Sequence, residues 1–120
     1  MVSSVLVVDD DPDFLALAAR VLREMGVELV LTAPNAAEGR SEAVAKRPDA
    51  VLVDVGLPDR GGIELACELA EMAWRPRVVV TSTDRDAARA LEARQSDGGI
   101  PFVPKEELAN ESLRKLLIGE

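Results

Sequence analysis

Short β-branched runs alternate along this chain with longer stretches of helical period, and that alternation restricts it to a parallel sheet covered by helices. The runs are Val5-Leu6-Val7-Val8, Glu28-Leu29-Val30-Leu31, Ala50-Val51-Leu52-Val53, Val78-Val79-Val80 and the segment from Ile100 to Val103. All but the second lack polar alternation, as strands buried on both faces do.

The amphipathic stretches between the runs predict the helices. Phe14, Leu17, Ala18, Val21, Leu22 and Met25 follow helical spacing, with Asp11 as N-cap, Pro12 at the first helical position and Gly26 past the end. Residues 35 to 46 predict an Ala-rich second helix. Residues 61 to 73 predict a third, with an apolar face of Ile63, Leu65, Ala66, Leu69 and Ala70. A fourth, near 84 to 95, offers mostly alanines among charges, so a thin and more mobile contact with the sheet is expected. Leu108, Leu113, Leu116 and Leu117 mark a fifth that closes the chain. Right-handed crossovers of this length give a three-layer, doubly wound α/β fold, and for five strands the flavodoxin-like order 2-1-3-4-5. A single domain over residues 1–120 is expected, with no internal repeat and no low-complexity linker.

Composition removes whole classes of function. A formal charge of -8 argues against nucleic acid or an anionic membrane as the main partner. Apolar runs are only a few residues long and Met1 is not followed by a signal-like segment, so a cytoplasmic location is expected. Cys67 is the one cysteine, which excludes an internal disulfide or thiolate metal site, and it is expected to pack in a helix. The absence of histidine removes Ser-His-Asp and Cys-His catalysis and imidazole metal sites. Chemistry falls to carboxylates, hydroxyls, amides and lysine.

In a parallel sheet the residues just past each run gather along one edge. The first strand delivers Asp9 and Asp10, the third Asp54, the fourth Thr81 and Ser82, and the fifth Lys105. Carboxylates packed this closely raise one another's pKa unless a cation neutralises them. Magnesium prefers such oxygen ligands, with Asp10 and Asp54 as direct ligands, Asp9 in support and a backbone carbonyl near Gly56 as a further donor. An ionised Asp54 beside a metal ion and Lys105 has what a phosphoryl acceptor needs, with Thr81 and Lys105 to hold the remaining oxygens. Taken singly, each residue also reads as a turn former, a cap or a solvated lysine. The joint arrangement from four strands is what points to function.

Those residues, in this order, make the chain resemble the receiver domain of bacterial two-component response regulators over essentially its whole length. Val5 to Pro12 resembles the family's acidic first-strand segment, and Val51 to Gly62, centred on Asp54, its phosphoacceptor segment. Val80-Thr81-Ser82 resembles the switch threonine and its small neighbour, and Phe102-Val103-Pro104-Lys105 the switch aromatic and lysine. The resemblance implies that Asp54 is phosphorylated by a phosphohistidine on a sensor histidine kinase or histidine phosphotransfer protein. It also implies that Thr81 is then drawn to Asp54 while Phe102 moves inward. The surface of the fourth helix, fifth strand and fifth helix changes, and a downstream protein partner reads it. No catalysis beyond the chain's own phosphorylation and dephosphorylation is expected, and the state is a monomer or weak dimer.

Three departures from the family pattern stand out. Pro104 precedes Lys105, where many members carry proline after the lysine. Gly56, two residues past Asp54, has no side chain to orient a hydrolytic water, and Thr83 occupies the other position that tunes hydrolysis, so slow autodephosphorylation is expected. Gln95-Ser96-Asp97-Gly98-Gly99 replaces a shorter turn. The rival class is a pseudo-receiver that keeps the acidic edge as scaffold. An aspartate-nucleophile phosphatase fits less well, because Gly56 stands where its second acid belongs.

Overall fold

The computed structural model describes residues 2–83, 99–109 and 111–119. Five strands, β1 (Ser4–Val8), β2 (Leu29–Ala33), β3 (Ala50–Asp54), β4 (Arg77–Ser82) and β5 (Phe102–Pro104), form one sheet in the order β2-β1-β3-β4-β5. Every pairing is parallel, as the alternation of runs and helices predicts. Helices α1 (Pro12–Glu24), α2 (Ala36–Lys46) and α3 (Gly62–Ala70) connect the first four strands. The expected helix near 84 to 95 and most of the loop after it lie outside the described residues.

Strand periodicity divides the core into two halves. Val5, Val7, Leu52 and Val79 point to one face, where Phe14, Ala18 and Leu22 of α1 meet Leu113 and Leu117 near the C-terminus. Leu6, Val8, Val51, Val53, Val78 and Val80 point to the other, against Ala36 and Ala43 of α2 and Leu65 and Leu69 of α3. Burying each such leucine or valine contributes on the order of 2 kcal/mol, so the central strands are fixed in register by both layers. At α2 the packing is close enough to exclude a side chain. A Cβ on Gly39 would lie 2.8 Å from a methyl of Val8.

The α1 start is as expected: Asp11 accepts a hydrogen bond from the Asp13 N–H at 3.0 Å, Pro12 opens the helix, and Gly26 follows it with φ 98°. Elsewhere the boundaries move for identifiable reasons. Glu28 belongs to the turn into β2 rather than to the strand, because its N–H and that of Leu29 both donate to the Ser3 carbonyl. The last strand begins at Phe102 rather than Ile100, since Pro101 has no N–H for the ladder and offers only its carbonyl, to Val80.

Helix α3 stops at Ala70 instead of reaching residue 73. The chain then turns so that the Trp74 indole N–H reaches the Pro48 carbonyl at 2.9 Å. After β5 a 3₁₀ turn (Lys105–Glu107) leads to a helical segment, α over Glu111–Leu113 and π over Arg114–Ile118. The wider π turn rotates the register. Ile118 is buried, while Leu116, expected to share in marking this helix, is exposed. Cys67 lies on α3 but on its exposed side, so it does not pack in the core. Among the described residues no peptide is cis, and no helix is long and apolar enough to cross a membrane.

Candidate functional site

The C-terminal edge of the sheet gathers Asp9, Asp10, Asp54, Thr81 and Lys105. Asp9 follows β1 and is wholly buried, its position fixed by two main-chain bonds. Its N–H donates to the Ala33 carbonyl on β2, and its Oδ1 accepts the Asp11 N–H at 2.9 Å. Asp10, next along, is exposed. Asp54 closes β3 at 7% exposure and pairs in register with Thr81 of β4, itself buried. The Val55 N–H donates to the Thr81 carbonyl, which carries the ladder one residue past Asp54.

Lys105 reaches in from the end of β5. Its Nζ lies 2.6 Å from Asp9 Oδ2 and 3.7 Å from Asp54 Oδ1. The first contact is short in distance but lacks hydrogen-bond alignment, so Asp9 Oδ2 remains a buried oxygen without an aligned donor. Coulomb attraction, not a directed bond, holds the pair. Phe14 of α1 lies beneath the same ammonium, 4.4 Å from Nζ to the ring centroid.

Burial pushes the Asp54 carboxyl above the usual carboxylate range, and the charge of Asp9 adds to that rise. The Lys105 ammonium and the Gly56 N–H pull the other way. Three carboxylates offer oxygens that all lie within 4.8 Å of one another. An all-oxygen donor set, part of it buried and lacking an aligned donor, fits a hard divalent cation. Gly56 is exposed, and a Cβ there would lie 3.8 Å from Asp54 Oδ2, so a side chain at this position would touch the carboxylate without a clash.

Phe102, the expected switch aromatic, is not in the carboxylate cluster. It sits half-buried on β5 and borders a cavity of about 80 Å³ whose walls include Ser82, Thr83, Pro104 and Lys105. Lys105 is thus common to the cavity and the cluster.

Several residues near the site carry roles that the sequence pattern did not mark. Gly62 passes so close that a Cβ would lie 1.9 Å from the Asp54 carbonyl oxygen, and its N–H donates to Val55. Asp59 accepts hydrogen bonds from both Ala36 and Ala37 N–H, at 2.8 and 3.0 Å, which caps α2 from the loop after β3 and lowers the Asp59 pKa. Arg60 and Arg40 converge on Glu68, at 2.7 and 2.5 Å, tying that loop and α2 to α3 and holding the Glu68 carboxyl below its usual range.

The family described as the response regulator receiver domain matches residues 5–117. Among curated relatives, a putative transcriptional regulator of Pseudomonas aeruginosa is 36% identical over 92% of this chain and 53% of its own length. The transcriptional regulatory protein PrrA of Mycobacterium tuberculosis is 39% identical over 88% of this chain and 46% of its own. The chain therefore spans about half the length of these relatives. Among solved structures, response regulator TrrA of Thermotoga maritima, in complex with Mg²⁺ and BeF, superposes with a TM-score of 0.79 at 26% identity. That alignment covers 96% of this chain and 99% of TrrA. Chemotaxis protein CheY4 of Vibrio cholerae, with a TM-score of 0.78 at 22% identity over 98% of this chain and 100% of its own, shares the fold. With the strand order, the clustered carboxylates and the lysine opposite them, these matches establish that the chain belongs to the response regulator receiver domain family.

Proposed function

We propose that the chain is a phosphorylation switch in which Asp54 accepts a phosphoryl group from a phosphohistidine on a sensor histidine kinase or histidine phosphotransfer protein. The observation that carries this is the convergence of Asp9, Asp10 and Lys105 on a buried Asp54 at the sheet edge. An Asp54 carboxylate oxygen attacks phosphorus while the phosphorus–nitrogen bond of the donor breaks. The departing imidazole nitrogen keeps the electron pair and takes a proton from solvent. These 120 residues contain no histidine, so the donor imidazole lies outside them.

Asp9, Asp10, Asp54 and the backbone carbonyl of Gly56 would hold Mg²⁺, which supplies positive charge to the transferring oxygens. Lys105 already stands between Asp9 and Asp54 and shifts toward the new phosphoryl oxygens. Thr81, beside Asp54 in register, donates its hydroxyl to another. Phe102 then turns into the adjoining cavity, altering the β5 surface and the helices beside it for a downstream protein partner. The chain turns over no small substrate and catalyses only its own phosphorylation and dephosphorylation.

Incubation with Mg²⁺ and acetyl phosphate, followed by intact-mass measurement, tests this. One phosphoryl adduct is expected, absent without the metal and absent in Asp54→Ala. No adduct with any phosphodonor, or one that persists in Asp54→Ala, overturns the assignment and favours a constitutive docking module.

A further inference from the structure

We infer that Phe14 is a positioning residue for Lys105: its ring supports the ammonium beside Asp9 and within reach of Asp54 through a cation–π contact, and this rests on the reading of Asp54 as phosphoacceptor. Nothing in that reading requires an aromatic residue at position 14, where helical spacing asks only for an apolar side chain facing the core. The geometry asks for more. The Lys105 side chain is only slightly exposed, and the distance from its Nζ to the ring centroid, 4.4 Å, lies within the range where the ring quadrupole attracts a cation.

The other contacts of the ammonium do not orient its N–H groups. The Asp9 contact is short but unaligned, and the Asp54 oxygen is 3.7 Å away. The ammonium rests against Asp9 in the absence of a phosphoryl group, yet no aligned hydrogen bond locks it to that oxygen. A ring face attracts without demanding a direction for any N–H, so it supports the cation from below and leaves its donors free. Lys105 can therefore pass from Asp9 to a group arriving on Asp54 without losing that support. Phe14 itself is buried in the α1 core, beside Ala18 and Leu22, so the ring does not follow the lysine. A fixed face under a mobile cation is a pivot.

Stepwise fluorination of Phe14 by site-specific incorporation keeps the shape of the ring and weakens its quadrupole. Beryllofluoride, a phosphoryl mimic, serves as probe in the presence of Mg²⁺, with Trp74 fluorescence or NMR shifts as readout. Affinity is expected to fall monotonically along the series, roughly tenfold by the trifluoro ring, with melting temperature unchanged. In the Lys105→Met background the same series should change nothing, as a contact acting through the lysine requires. In the metal-free protein, ring-current shifts of the Lys105 side-chain methylenes should be present and should vanish in Phe14→Leu. Loss of the trend, or the same trend without the lysine, overturns the role of Phe14 alone. Failure of the parent chain to bind beryllofluoride with Mg²⁺ overturns the phosphoacceptor reading and Phe14's role with it.

Discussion

Lys105 is paired with Asp9 by a 2.6 Å contact between Nζ and Oδ2, and that contact neutralises a carboxylate with no exposure of its own. Removing the cation leaves an uncompensated buried charge, which is far more costly than the pair is stabilising. Lys105→Met should lower stability in the metal-free protein by about 3 kcal/mol, measured by urea denaturation. Adding Asp9→Asn should restore most of the loss. Equal stability of Lys105→Met and the parent would show that Asp9 has another source of compensation.

The folded state disfavours the ionised form of Asp54, chiefly through burial and then through Asp9. A carboxyl raised in this way contributes stability below its ordinary pKa, and that contribution is lost as pH rises through the raised value. Asp54→Asn should therefore gain about 1 kcal/mol over the parent at neutral pH in the presence of a chelator. The gain should shrink to nothing below the ordinary carboxylate range. A gain independent of pH would mean that charge is not its cause.

Gly62 and Gly61 are adjacent but not equivalent. An added Cβ at Gly62 collides with the Asp54 carbonyl, whereas at Gly61 it meets only the Glu64 side chain, at 3.6 Å. Gly62→Ala should cost about 3 kcal/mol and weaken Mg²⁺ binding, because relief of the clash must displace the strand end that carries Asp54. Gly61→Ala should leave both within error. Thermal melts and a metal titration on the two variants decide the matter.

The missing side chain at Gly56, whose Cβ would touch Asp54 Oδ2, bears on how long a phosphoryl group would persist. With no side chain there to orient water, phospho-Asp54 should last minutes or longer in purified protein. Gly56→Glu should shorten its lifetime roughly tenfold or more, as a positioned base does. Decay within seconds in the parent would contradict this account.

The strands that carry the acidic residues were legible because β1, β3 and β4 are buried on both faces and read as unbroken apolar runs. A run's end then locates the sheet edge, which is how Asp9, Asp54 and Thr81 could be placed together from sequence. What escaped depends on contacts between distant segments. Asp59 caps a helix 22 and 23 residues earlier in the chain, and nothing in its local sequence distinguishes it from a turn former. Beyond the end of α3, Trp74 reaches back to Pro48, a tertiary bond that the helical period does not report. Phe14 reads as one more apolar position of α1, because spacing reports the face of a residue and not the charge above it. Near the C-terminus, a π turn puts Ile118 where a regular period would put Leu116.

The double attachment of Asp59 to Ala36 and Ala37, reinforced by Arg40 and Arg60 on Glu68, makes the site mechanically lopsided. On the α2–α3 flank the loop after Asp54 is clamped at several points. On the opposite flank β5 is three residues long and opens onto a cavity. A perturbation at Asp54 thus meets a braced wall on the α2–α3 side, so displacement is expected toward β5 and the cavity beside it.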